Sequence, residues 1–554
     1  MSMRSADLMP SPAAITARQA ADDFAIPAFD PSGPHAAAGA APRRPALPAL
    51  LARTSPEQPR GFTGRQTILS VVVEVDPKKT AMLRAILEKL RNDEEATRPK
   101  YDRLKQAVPA LHFISMTVFE DAHHDPVLVV EANFDGPPGP FWASLEAAIG
   151  PWLRDMVRCC KRPRDGTAAM FDAIVADRAR LPVAPFFEAR TVRPAAGHQG
   201  NRGLTRARIE AEAALFQAAQ EELEDRRRFA GMSAPGIHAA LRRALLPDFG
   251  WLEAESPRRI ARAENTSDWL RLVGFGLVAL LAVSAPAILA WLLLPWWLVP
   301  LISLVSSFAF ARALGRRGGP ETSGGLLPPS LRVQGALALL LFSGVLPVVL
   351  GVLCWLRWLE ERDQPQDAPP VDEEEVRRMS AREDRVLQNH MGSVVLVKPG
   401  ALRAVLIRGG LWGLGLLLRV LPAARRGYLS SMRTIHFAHW ALVGNGGRLM
   451  FFSNFDGTWE SYLDDFIEKA HGGLTLAWCN CVGFPPARFL WFEGATHGRR
   501  FKAWARSSMA VSGFWFSAYP DLTVEQIERQ HAVAEGLRRE SLSPEEVREW
   551  ACLL

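Results

Sequence analysis

Two aspartates recur in one short setting. Asn133-Phe-Asp-Gly136 and Asn454-Phe-Asp-Gly457 each close an apolar run and precede a helical pattern. A carboxylate at such a position can accept hydrogen bonds from free backbone N–H groups, with the glycine allowing a tight turn. It can also stand at a pocket mouth as a general acid or base. Asp135 and Asp456 are therefore the candidate catalytic residues, with Asn133 and Asn454 as candidate pocket residues. Upstream of each motif a histidine opens a strand pattern, His112 and His436, alternating with Phe113 and Phe437. Both point away from the phenylalanine face. They could meet a ligand in a shared cavity or sit as hydrogen-bonded core histidines. His439 has the parity of Phe437 and no repeat partner.

Other residues carry weaker signals. Trp459 opens the helix after the second motif and is a further pocket candidate. The segment from Trp491 to Arg506 holds Glu493, His497, Arg499 and Arg500 among Phe492, Phe501 and Trp504. It could bind an anion or pack at a membrane surface. Cys159-Cys160 and Cys479-x-Cys481 each follow an Asp-Gly motif. They read as packed thiols or as the two halves of a sulfur cluster. The six cysteines lack the spacing of a structural zinc site, and no metal is expected.

The elements that must position these residues are duplicated. Leu111–Asp121 followed by Val127–Gly136 corresponds to Ile435–Val443 followed by Arg448–Gly457. Ser70–Pro77 parallels Ser393–Pro399, and each is followed by a helical pattern. Phe186 and Phe514 each open a candidate last strand. The order strand, helix, strand, strand, helix, strand is the ferredoxin-like βαββαβ unit. The expected fold class is α+β, with two such repeats forming a pseudo-dimeric α/β barrel and a helical transmembrane insertion between them.

The boundaries follow: a disordered Ala/Pro-rich tail over 1–64, repeat 1 over 65–195, and a charged helical connector over 196–268. Transmembrane helices occupy 269–357 and an acidic linker 358–387. Repeat 2 spans 388–540, followed by a C-terminal tail over 541–554. From Leu272 to Ala311 forty residues carry no charge, enough for two passes, and Gly335–Leu356 adds about one more. Barrel closure within one chain needs both repeats on one side, so one of these segments is expected to be re-entrant or interfacial, giving two to four crossings. The helix after Pro399 reads as lying on the membrane, because Arg408 argues against a span. Flanking Arg259, Arg262, Arg316 and Arg317 favour a cytoplasmic side for the repeats. The net charge of +6 sits beside apolar segments, which suits a membrane rather than nucleic acid.

Tandem ferredoxin-like modules with a strand-ending Phe-Asp-Gly resemble the dimeric α/β-barrel superfamily. Within it the chain is most similar to dye-decolourising (DyP-type) peroxidases and to a group of peroxidase-like bacterial membrane proteins. The resemblance covers about residues 65–195 and 388–540. It implies a haem cofactor, an Asp135 or Asp456 that assists peroxide cleavage, and His436, His497 and Arg500 as cofactor-binding residues. The first Gly of that family's G-x-x-D-G motif is Ala132 in one copy and Ser453 in the other.

Three functions remain open at this point. One is a membrane-anchored, haem-dependent peroxidase-like oxidoreductase, of which His112, Asn133, Asn454 and Trp459 would line the pocket. The second is a non-haem protein that binds or processes a small apolar or lipid-derived ligand. The third is a non-catalytic membrane scaffold. The expected partners are the bilayer of a bacterial inner membrane, a small apolar ligand, and further copies of the chain in a homo-oligomer.

Overall fold

The computed structural model describes residues 65–98, 102–120, 124–176, 178–256, 259–315, 344–366, 373–383, 386–429 and 432–554. The tail expected over 1–64 and the first part of the apolar stretch beginning at Gly335 lie outside them.

β-branched and aromatic residues set the first sheet. β1 (Gln66–Glu74) leads into α1 (Thr80–Thr97), then β2 (Leu111–Phe119), β3 (Val127–Asp135), α2 (Pro138–Arg158) and β4 (Thr191–Val192). β3 pairs antiparallel with both β1 and β2, and β4 adds antiparallel to β1. The expected last strand at Phe186 is instead a short helix, Ala184–Ala189, with β4 directly after it. Every residue of β2 and β3 is buried, as befits strands covered on both faces. α1 buries Leu83, Leu87 and Leu90 along one helical stripe.

β5 (Ala196–Gln199) leaves this sheet. It is followed by α3 (Arg206–Glu224) and α4 (Ala234–Leu245), and then by the apolar helices α5 (Arg262–Leu293), α6 (Leu298–Gly315) and α7 (Val345–Glu360). The acidic segment expected as a linker contains a helix, Glu373–Glu383. The second sheet begins with β6 (Gln388–Leu396), α8 (Ala401–Val420), β7 (Ile435–Val443), β8 (Arg448–Asp456) and α9 (Trp459–Trp478). The insertion folds as a small hairpin, β9 (Ala487–Arg488) and β10 (Phe492–Glu493), followed by α10 (Gly498–Ser507). β11 (Phe514–Ser517), α11 (Val524–Arg538) and a final helix, Pro544–Ala551, complete the chain.

The sheets exchange edge strands. Their orders are β11-β2-β3-β1-β4 and β5-β7-β8-β6. β11, from the second half, pairs with β2, with Ser517 opposite Phe113. β5, from the first half, pairs with β7, with Gln199 opposite Phe437. Both receiving strands carry the same register irregularity beside their histidine, at Leu111/Phe113 and Ile435/Phe437. Residues from both sheets meet in one apolar cluster, Phe119, Val127 and Val129 with Ala441, Met450 and Phe452. The fold is therefore α+β with antiparallel sheets.

Two helices are long and apolar enough to cross a membrane, α5 and α8. α5 leaves Leu280, Leu281, Leu292 and Leu293 largely exposed, a surface that water would disfavour. α8, expected to lie on the membrane, buries Ile407, Leu411, Leu416 and Leu418 and packs against both α5 and β5. Gly415 makes that approach possible, since a Cβ there would stand 2.8 Å from the Ala195 carbonyl oxygen.

Candidate functional site

The two repeated aspartates occupy matching positions. Asp135 Oδ1 lies 3.0 Å from His112 Nε2, and Oδ2 accepts the N–H of Arg206 at 2.7 Å. Asp456 Oδ1 lies 2.8 Å from His436 Nε2, and Oδ2 accepts the N–H of Val524 at 2.9 Å. Arg206 and Val524 are the first residues of α3 and α11. Each carboxylate thus serves the positive end of a helix remote in sequence, rather than the helix that follows it. α3 and α11 pack on each other, so the pairs tie both sheets to one helical layer.

The histidines do approach a common centre. His112 packs against Phe437 at 5.4 Å and His436 against Phe113 at 5.2 Å, ring centre to ring centre. Tyr519 touches both and hydrogen-bonds His112 Nδ1 at 2.7 Å. Burial, then the nearby Asp135, holds the Tyr519 hydroxyl well above its usual value. The centre is filled by aromatic rings.

Asn133 and Asn454 converge on a residue that the motif did not mark, Glu131. Both side-chain amides donate to its Oε1, Asn454 at 3.2 Å, while Ser115 donates to Oε2 at 3.1 Å. His390 Nε2 stands 3.4 Å from Oε2. Burial pushes the Glu131 carboxyl up, but His390, His439 and Asn133 together bring it below the ordinary glutamate value. Ser512 hydrogen-bonds His390 Nδ1 at 2.8 Å, and Ser70 hydrogen-bonds His439 Nε2 at 2.9 Å. Phe452 stacks between the two imidazoles. Burial lowers His439 to about 4, so it is neutral at pH 7. This polar seam lies between the sheets and lines none of the cavities described.

The largest cavity described lies elsewhere. It measures about 740 Å³ and is framed by β1, the β4–β5 segment, α8 and the start of α5. Ile68, Trp412, Leu416 and Leu418 give it apolar wall, and Arg65, Arg193 and Arg271 give it charge. None of these three guanidiniums has a carboxylate partner among the described residues. Arg202 and Arg419 also line it, both paired with Asp268. Trp412 meets Phe275 of α5 edge to face at 4.9 Å. Arg271 is the last charge before the uncharged run that starts at Leu272, so the cavity opens at the level where α5 turns wholly apolar.

No family model, curated protein or solved structure matches the chain.

The haem implied by the resemblance would need an axial ligand with a free nitrogen facing an open space. His436 gives its Nε2 to Asp456 and is enclosed by Phe113 and Tyr519. His497 precedes α10 with a buried, unpartnered Nε2, yet neither it nor Arg500 lines a described cavity. Trp459 is buried under the Arg506 guanidinium, 3.8 Å above its ring. These residues do not fit a haem. The cysteine pairs belong to separate cores, Cys159 and Cys160 in one, Cys479 and Cys481 in the other. Glu212, His531 and Glu535 bring three ligand atoms together, but Arg208 already pairs with both carboxylates.

Sequence reasoning overlooked Glu131, His390 and the arginine cavity. Glu131 stands in register with Phe452, and His390 with Ile68, so a search for repeated residues passes over them. The cavity assembles from β1, the β4–β5 segment, α5 and α8, and no local motif encodes it.

Proposed function

We propose that the chain is a membrane-anchored binding protein that holds a small anionic amphiphile, an apolar or lipid-derived molecule with an acidic head, in the cavity beside α8. The observation that carries this reading is the pairing of unpartnered Arg65, Arg193 and Arg271 with the Trp412–Leu418 wall. Guanidiniums without carboxylates attract an anion, and the apolar wall takes the hydrocarbon part that water rejects. The bilayer is the source, because α5 and α8 border the cavity. We further read the two halves as tandem ferredoxin-like units of a pseudo-dimeric α/β barrel. The strand order β4-β1-β3-β2 and the reciprocal exchange of β5 and β11 support it. The buried Asp–His pairs act as fixtures of that scaffold in this reading, and the soluble halves face the cytoplasm. Displacement of a dansyl-labelled fatty acid from the full-length protein in nanodiscs tests the proposal. Arg271→Gln together with Arg193→Gln should weaken binding about tenfold, the loss of one good charge-assisted contact. Equal affinity in that variant and the parent protein would remove the arginines from the account.

A further inference from the structure

A second cavity, about 430 Å³, shares Arg202 with the first. Arg259, Arg425, Arg426 and Arg433 also line it, against a single carboxylate, Glu528. That carboxylate is fully engaged. Arg259 holds both its oxygens at 2.6 and 2.7 Å, Asn201 donates at 3.0 Å, and Arg433 lies 3.3 Å away. Two arginines thus share one negative charge. Arg202 is balanced elsewhere, by Glu264 and Asp268 at 2.6 and 2.9 Å.

The remaining guanidiniums face no counter-charge. Arg425 donates to neutral groups, the Arg419 carbonyl at 2.9 Å and the Asn265 side chain. Arg426 has no carboxylate partner among the described residues. Arg433 lies 5.1 Å from the Tyr428 ring centre, and its buried Nε has no hydrogen-bond partner. Like charges gathered around one cavity repel each other, and a bound anion relieves the repulsion. Guanidinium forks match phosphoryl oxygens two at a time, and a phosphoryl group brings close to two negative charges where a carboxylate brings one.

We propose that this second cavity is a phosphoryl-binding site, with Arg425, Arg426 and Arg433 as its principal donors. It is separate from the amphiphile site and does not depend on it. Ile260, just ahead of α5, also lines it, so the phosphoryl group could come from a soluble phosphate compound or from an anionic phospholipid headgroup.

The test uses the full-length protein in phosphatidylcholine nanodiscs, titrated calorimetrically with inorganic pyrophosphate. A parallel preparation mixes phosphatidic acid into the lipid and measures its enrichment in the lipid retained by the protein. Arg426→Gln should weaken the interaction about tenfold, and Arg426→Glu should abolish it. Arg425→Gln gives a second, independent reading, and the melting temperature of each variant checks folding. Pyrophosphate binding that weakens in these variants supports the site with a soluble ligand. Phosphatidic acid enrichment that is lost in them, without pyrophosphate binding, supports it with a lipid ligand. Absence of both in the parent protein, or insensitivity of both to Arg426→Glu, overturns the proposal.

Discussion

Glu131 Oε2 and His390 Nε2 lie 3.4 Å apart between the two sheets, with both side chains 1% exposed. The pair joins the halves: Glu131 comes from the first and His390 from the second, and Asn454 reaches across to the same carboxylate. A buried charge of this kind is stable only while its partners remain. Glu131→Gln would turn an amide N–H₂ toward the donors of Ser115, Asn133 and Asn454. The expected loss of stability is about 3 kcal/mol, read as a fall in the denaturation midpoint. A variant as stable as the parent would mean that the seam does not hold the sheets together.

Acid should loosen the protein through its buried histidines. His198, in β5, is lowered to about 4 from 6.5, mainly by burial, and His439 to about 4 for the same reason. The unfolded chain binds these protons at a higher pH than the folded one. Their contribution is therefore complete above pH 6.5 and lost as pH falls toward 4, about 3 kcal/mol for each. The depressed Glu131 carboxyl acts in the same direction at lower pH, its stability lost as pH falls below 4.5 through the folded value. Melting temperatures measured from pH 7.5 down to 4.5 should fall, and His198→Gln should flatten the slope by about one proton. An unchanged slope would place the titration elsewhere.

The Asp–His pairs make a graded prediction. Asp456→Ala leaves one helix N–H and one imidazole without an acceptor, at a cost of about 1–2 kcal/mol. Asp135→Ala should cost more, about 2–3 kcal/mol, because His112 is wholly buried and loses its only carboxylate. Chemical denaturation of the two variants side by side checks the order. Asp456→Ala proving the more damaging would show that burial does not set the cost.

Much of this scaffold is legible in the sequence. The repeated His–Asp spacing and the Asn-Phe-Asp-Gly turns survive as matching geometry because each repeat must close the same strands. The exchange of β5 and β11 is not legible, since a four-residue edge strand carries no mark of which edge it will join. Glu131 and His390 were hidden for a different reason. They break the repeat, so a reading built on likeness between the halves discards the positions where the halves differ. The expected last strand at Phe186 failed because Pro185 suits the first turn of a helix, and the strand forms only after it.

Glycines on α8 separate contact from exposure. Gly409 and Gly410 have open space where a Cβ would go. Alanine at either should stabilise the helix by about 1 kcal/mol. Gly415→Ala would drive a methyl group against the Ala195 carbonyl, forcing α8 away from β5 with a loss of about 1–3 kcal/mol. Opposite signs in thermal denaturation support the packing of α8. A stabilising Gly415→Ala would contradict it.

Thiol chemistry distinguishes buried from lipid-facing cysteines. Burial pushes the Cys479 thiol up to about 12 and raises Cys159, Cys160 and Cys481 as well. Cys552 and Cys354 are exposed. In vesicles opened to both sides, a water-soluble maleimide should label Cys552 alone, and a lipid-soluble one should add Cys354 of α7. Prompt labelling of Cys354 by the water-soluble reagent would show that α7 faces water.

The central claim is that an anionic amphiphile occupies the cavity between α8 and β1. Its most direct test is mass spectrometry of what the purified full-length protein retains after exchange into a single zwitterionic lipid. The account predicts one class of acidic amphiphile, bound near one per chain. It should be lost when Leu416→Trp fills the cavity and when Arg271→Gln and Arg193→Gln are combined. Retention of the zwitterionic lipid alone, or an acidic amphiphile held equally by parent and variants, would contradict it.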